Sequence, residues 1–264
     1  MLEIKNAVKV FAPGTPNEYK ALNGLSLKLD DGEFVTVIGS NGAGKSTLFN
    51  AVCGNFWLDS GHVILDGTDI TYWSEHKRAR RIGRIFQDPM KGTAPNLTIE
   101  ENLSLAYSRS KRGGLAPAVT KAERVMFREA LAGFDMGLED RMKTKVGLLS
   151  GGQRQVVTLL MATLVPPSLL LLDEHTAALD PKTAEKVMNI TRDIVEKNKL
   201  TTLMITHNVK SALETGNRTI MLDSGEIIFD MDEKEREGMT VEELMKRYSV
   251  KRHEQLDNDK LIFG

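Results

Sequence analysis

The segment Gly39-Ser40-Asn41-Gly42-Ala43-Gly44-Lys45-Ser46-Thr47 has the spacing of a phosphate-binding loop, glycines followed by a lysine and a hydroxyl. Glycines let consecutive backbone N–H groups turn toward phosphate oxygens. The N-terminus of a following helix adds positive potential, and Lys45 is placed to neutralise charge on β- and γ-phosphates. The Ser46 hydroxyl suits Mg²⁺. A second group, Asp173 and Glu174, closes the apolar run Leu169-Leu170-Leu171-Leu172. Neighbouring strand side chains diverge, so the two acids can do different work. Asp173 is suited to hold Mg²⁺ through water, and Glu174 to polarise an attacking water as general base. The chemistry indicated is attack of water on a bound γ-phosphate.

The elements that must position these groups follow from the hydrophobic period. Leu2 and Ile4, then Leu25, Leu27 and Leu29, alternate with polar residues as half-buried antiparallel strands do, with turns at Ala12-Pro13-Gly14 and Asp30-Asp31-Gly32. Phe34-Val35-Thr36-Val37-Ile38 is a continuous apolar run, expected of a strand buried on both faces of a parallel sheet. The phosphate loop follows it directly, and Leu48 to Cys53 reads as the next helix. Further strands are expected at His62–Leu65, Ile82–Phe86, Leu169–Leu172 and Thr201–Ile205. A hairpin is expected over Arg218–Leu222 and Glu226–Phe229, joined by Asp223-Ser224-Gly225.

Between Gln87 and Ser150 the texture is helical. Thr98-x-x-Glu101 and Thr120-x-x-Glu123 match capping boxes, and Lys111-Arg112-Gly113-Gly114 reads as a loop between helices. Asp180-Pro181 starts a helix that runs to about Lys199, and the tail opens with a further box, Thr240-x-x-Glu243.

Composition narrows the function. Lys plus Arg at 35 against Asp plus Glu at 36 leaves a formal charge of −1, so no global basic field exists to hold nucleic acid, and no nucleic-acid partner is expected. The single cysteine, Cys53, excludes an intramolecular disulfide or a thiolate-rich metal site within the chain, and fits a reducing compartment. Met1 to Asn6 carries charges where a signal peptide needs an apolar segment, and no apolar run reaches the ~18–20 residues that span a bilayer. The expectation is a cytosolic chain whose membrane role runs through a partner.

Leu149-Ser150-Gly151-Gly152-Gln153 is the signature of the ATP-binding cassette ATPases, and nearly the whole chain resembles the nucleotide-binding subunit of a bacterial ABC transporter. The family's other motifs occur in order: Gln87 in Phe86-Gln87-Asp88-Pro89, Ala178-Leu179-Asp180 as the D-loop, and His207 in Thr206-His207-Asn208 as the switch histidine. The resemblance implies an α/β fold with a RecA-like P-loop NTPase core, an antiparallel β subdomain and a helical subdomain over about 88–160. All of this would form one ATP-binding domain, 1–264, with a tail from about 240. ATP and Mg²⁺ are the implied ligands.

The Ser150-Gly151-Gly152 turn opens a helix, and free N–H groups there suit an anion. In the family it faces the γ-phosphate bound by the other subunit, which implies a dimer with composite sites; homodimer and heterodimer are both open, and the intact motifs favour identical chains. The resemblance gives Gln87 a contact to Mg²⁺ or the attacking water and a report of nucleotide state to the helical insertion. It gives His207 a hydrogen bond to the γ-phosphate. Phe11 is the positional candidate to stack on adenine, with Tyr19 second, and simple packing at a strand end is an equal alternative for Phe11. Further implied partners are integral-membrane permease subunits, contacted around Gln87–Asn102, with a solute-binding protein left open. The implied location is the cytoplasmic face of the membrane.

Asp88-Pro89-Met90-Lys91-Gly92-Thr93, with Asp69-Ile70-Thr71, resembles bacterial subunits of amino-acid-type uptake. The competing function is a soluble ABC ATPase clamping ribosomes or DNA. Those relatives carry paired cassettes or long coiled coils, and neither is found here. A module that holds ATP without hydrolysing it is disfavoured by Glu174 and His207.

His175 stands where many family members have proline, and is expected as a polar loop side chain beside Glu174. Lys77-Arg78-Ala79-Arg80-Arg81 is expected on a solvated helix face or turn, and Cys53 as a small buried hydrophobe.

Overall fold

Strand β1 (Leu2–Phe11) pairs antiparallel with β2 (Tyr19–Leu29) on one side and with β4 (Ser60–Leu65) on the other, and β5 (Thr68–Asp69) closes this sheet in the order β2-β1-β4-β5. A second sheet holds β3 (Phe34–Gly39), β6 (Ile82–Ile85), β7 (Leu169–Asp173), β8 (Thr202–Ile205), β9 (Arg218–Asp223) and β10 (Glu226–Met231). Its order is β10-β9-β3-β8-β7-β6, parallel except for the β9–β10 hairpin. The computed structural model describes residues 1–110 and 119–251. The loop expected at Lys111-Arg112-Gly113-Gly114 and the end of the tail lie outside the described residues.

The helices are α1 (Lys45–Cys53), α2 (Glu75–Arg78), α3 (Ile99–Tyr107), α4 (Lys121–Ala132), α5 (Gly151–Thr163), α6 (Pro181–Asn198), α7 (Val209–Glu214) and α8 (Glu233–Arg236), with a last helix over 241–251. Several start where side-chain caps stand. Thr98 and Thr120 form complete capping boxes with Glu101 and Glu123, and Asp180 accepts from the Thr183 N–H with proline next in line. Each such cap stabilises its helix by about 1 kcal/mol.

Strand β7 shows why its leucines run without polar interruption. Leu169 and Leu171 face the core shared with the antiparallel sheet and α1, whereas Leu170 and Leu172 face the core under α3, α4, α5 and α6. All four are fully buried, and each contributes about 1.5–3 kcal/mol by leaving water. The same alternation puts Leu203 and Ile205 of β8 on the first face and Met204 on the second. A sheet sealed on both sides leaves its strand ends as the exposed edge.

That edge is where the residues expected to carry the chemistry gather. β6, β7, β8 and β3 are parallel neighbours, so the residues that follow them emerge at one end of the sheet. These are Gln87, Glu174, His207 and the phosphate loop, and ligands of open parallel sheets bind at this end. The β9–β10 turn braces the loop from the other side: Gly225 N–H donates to Ala43 O at 3.1 Å, and Gly225 O accepts from Asn23 N–H at 3.0 Å.

The basic run Lys77–Arg81 departs from expectation at Arg78, which is only 2% exposed. Its guanidinium donates to Ala51 O at 2.7 Å and Val52 O at 2.9 Å, and also to Thr71 O and Trp73 O. These carbonyls include the open C-terminal end of α1, where a cation is favoured by the helix dipole. Arg78 is thus a buried cap on the helix whose other end is the phosphate loop.

Candidate active site

Gly44 opens α1 in the left-handed region, at φ 102°, with no side-chain cap on the helix. A Cβ there would collide with Ala21 O, so the position needs glycine. The first turn of α1 therefore presents backbone N–H groups that no side chain satisfies, an anion site by construction. Lys45 is buried, and its ammonium donates to Gly39 O and Ser40 O, each at 2.8 Å. Burial lowers its pKa, and the nearby Glu174 charge opposes that shift. The cation is thus folded back on its own loop. Ser46 is exposed at the mouth, and Ser40 Oγ donates to Asp223 Oδ1 at 3.3 Å.

The acidic pair diverges as expected. Asp173 Oδ2 lies 3.2 Å from Arg84 Nη2, an ion pair that sequence reading did not find. Glu174 points the other way. Its Oε1 is 2.6 Å from His207 Nε2, and its Oε2 accepts from Gln87 Nε2 at 3.2 Å. Three residues from three strand ends thus meet on one carboxylate. The backbone of Glu174 is left-handed, φ 48°, which is uncommon for a residue with a side chain and is held here by its N–H bond to Ile205 O.

The hard oxygen donors of Ser46 and Asp173 suit Mg²⁺. Among the described residues no group of three or more His, Cys, Asp or Glu could hold a metal, so phosphate oxygens would have to complete its shell.

The signature is built differently. Ser150 caps α5, its hydroxyl accepting from Gln153 N–H while Gln153 Oε1 accepts from Ser150 N–H, each at 3.3 Å. Ser150 and Gly151 are exposed, and so is Leu148 at 73%. A Cβ on Gly152 would collide with Thr183 Cγ2, so this glycine lets α5 lie close against the start of α6. Among the described residues no hydrogen bond or ion pair joins Ser150–Gln153 to the phosphate loop. Asp180 sits at the same junction as cap of α6, with hydrogen bonds from Thr183 holding its carboxyl below the usual range.

Phe11 and Tyr19 face each other in register across β1 and β2. Phe11 packs edge-on against Phe56 at 5.5 Å, and the Tyr19 hydroxyl donates to Gly42 O in the phosphate loop. Both rings are partly exposed. His175, expected in a polar loop, is instead 2% exposed, with Nε2 3.1 Å from Thr191 Oγ1 on α6. Burial pushes its pKa down to about 4, so it is a neutral packing residue at neutral pH. Cys53 is buried as expected, and burial raises its thiol pKa.

A family model described as ABC transporter matches residues 22–177. The chain is an ATP-hydrolysing subunit of the ABC transporter family. This ABC subunit is 46% identical over 252 residues to the tyrosine transport ATP-binding protein of Clostridioides difficile, across 94% of this chain and 98% of that one. It is 40% identical over 211 residues to the methionine import ATP-binding protein MetN of Rhizobium johnstonii, across 79% of this chain but 56% of that relative. Among solved structures it is similar to the ATP-binding cassette MJ0796 in a dimeric post-hydrolysis state bound to ADP and Pi, with TM-score 0.76, 30% identity, and coverage of 88% of this chain and 99% of that one. The fold expected for this ABC subunit, a parallel nucleotide-binding core with an antiparallel sheet and a helical layer, is the one observed. Among the described residues no helix is long and apolar enough to cross a membrane.

Proposed function

We propose that two copies of this ABC ATPase bind Mg·ATP between the phosphate loop of one and the signature of the other, and that the cycle drives uptake of an amino-acid-type solute. The observation that carries this reading is the meeting of Gln87 and His207 on Glu174 beside the loop. ATP enters with its phosphates on the N-terminal turn of α1, and Lys45 exchanges its two loop carbonyls for β- and γ-phosphate oxygens. When bound with the nucleotide, Mg²⁺ supplies Lewis-acid spreading of phosphate charge, and Ser46, Gln87 and Asp173 would hold it. Glu174 takes the proton of the attacking water. His207, released from Glu174, donates to the γ-phosphate as charge grows there. Phe11 takes the adenine face, and Tyr19 steadies the loop through Gly42.

The partner copy contributes Ser150, Gly151, Gly152 and Gln153, with Asp180 at the junction. The exposure of the signature beside the uncovered Leu148 supports this assignment. Integral-membrane permease subunits dock at the groove of about 290 Å³ beside Gln87–Asn102, lined by Glu75, Phe86, Gly92, Ala106 and Met161. The subunit then works at the cytoplasmic face of the membrane, with a solute-binding protein completing the uptake system. Similarity to tyrosine and methionine transport subunits supports an amino-acid class of solute. Capture with Glu174→Gln from detergent-solubilised source membranes tests the reading. A multi-spanning membrane protein should be recovered with ATP, whereas ribosomal or DNA-associated proteins alone would overturn transport.

A further inference from the structure

Arg84 is a charged side chain in the otherwise apolar strand Ile82-Gly83-Arg84-Ile85, and none of the motifs above accounts for it. Its guanidinium is fixed from several sides. Nη1 donates to Asn50 Oδ1 of α1 at 3.0 Å and to Asn55 Oδ1 at 3.4 Å, and Cζ stands 4.7 Å from the centre of the Phe86 ring. Nη2 is left to meet Asp173 Oδ2 at 3.2 Å, with the two side chains 15% and 18% exposed.

We propose that Arg84 is the resident counter-ion of Asp173, a positioning residue that shares this carboxylate with the divalent cation and so holds the metal affinity of the site down. The inference rests on the nucleotide reading above. Asp173 and Glu174 are adjacent anions at one strand end, and each has its own partner. Glu174 is engaged by His207 and Gln87, and its charge also acts on Lys45. Asp173 has Arg84, whose anchors on α1 and Phe86 keep the guanidinium in place when a metal arrives. A divalent cation would then have to compete with this fixed guanidinium for the same carboxylate. Release of the metal with spent nucleotide would be favoured by the same competition.

The test titrates Mn²⁺, read by electron paramagnetic resonance, into the full chain saturated with ADP. Arg84→Gln should tighten Mn²⁺ binding by roughly tenfold, the size expected for freeing one carboxylate from a partly screened counter-ion. Arg84→Lys, which keeps the charge, should stay within about twofold of the unmodified chain, since a tenfold change would need about 1.4 kcal/mol. In an Asp173→Asn background, Arg84→Gln should give no comparable tightening. Unchanged or weaker Mn²⁺ binding by Arg84→Gln with an intact thermal transition would overturn the proposal, as would equal tightening in the Asp173→Asn background. Arg84→Met serves as the neutral variant should glutamine disturb the strand. An unmodified chain that binds neither ADP nor Mn²⁺ would overturn the nucleotide reading as well, which separates the two failures.

Discussion

The phosphate loop and the signature, the two ends of the proposed ATP site, differ in how many of their side chains are engaged within one chain. At the phosphate-loop end, Lys45, Gln87, Glu174 and His207 converge from four neighbouring strands and are already bonded to one another or to the loop. At the signature end, Ser150 and Gln153 satisfy only each other and the adjoining helices, and the Ser150–Gly151 surface faces outward. Under the proposed function, catalytic geometry is fixed by the sheet, and control rests on pairing with a second copy.

The sharpest way to break this contrast is to damage each end separately. Glu174→Gln should lower ATP turnover at least ~10²-fold while leaving ATP binding intact, as measured by steady-state hydrolysis and nucleotide titration. A Lys45→Ala chain and a Ser150→Arg chain should each be inactive alone. Mixed at equal amounts, they should regain up to about a quarter of the unmodified rate, because half of the dimers then hold one intact composite site of two. No recovery on mixing would mean that the two ends act within one chain.

Smaller effects sharpen the picture at the loop end. Arg78→Met should cost about 3 kcal/mol in urea unfolding, since several buried carbonyls lose their donor at once. His175 adds a pH term. Its folded pKa of about 4 lies below the ordinary histidine value of 6.5, so the unfolded chain binds the extra proton between these values. Stability from this group is therefore full above about pH 6.5 and is lost as pH falls toward about 4, amounting to about 2 kcal/mol between pH 7 and pH 5. A His175→Gln variant should show a pH slope shallower by that amount. Phe11→Ala should raise the KM for ATP by roughly five- to tenfold with kcat little changed, consistent with loss of one stacking contact of about 1 kcal/mol. Tyr19→Phe should change it less, since the ring is kept.

Much of the site is legible in the sequence because its motifs mark strand ends. An apolar run followed by glycines, by two acids or by a histidine places chemistry at the edge of a parallel sheet, and the observed order β3-β8-β7-β6 makes those ends neighbours. What is hidden depends on partners distant in the chain. Arg78 reads like its basic neighbours because α2 is too short to show a period, and its acceptors at Ala51 and Val52 belong to another helix. His175 is buried by Thr191 on α6, which no local pattern announces. Arg84 did leave a signal, a charge inside a short buried strand, that would have justified a search for a counter-ion. The left-handed backbone of Glu174 left none, because it is imposed by β8 rather than by its own residue type.

The strand order also sets a schedule. β3 ends at Gly39, but both strands that flank it, β8 and β9, lie beyond Leu200 in the chain, and the turn that braces Ala43 ends at Gly225. A chain emerging from the ribosome therefore carries its phosphate loop without these flanking strands until residues beyond Leu200 follow, and the pairing that fixes the loop is non-local and slow. The loop is therefore expected to gain its full nucleotide affinity only after Gly225 has been made.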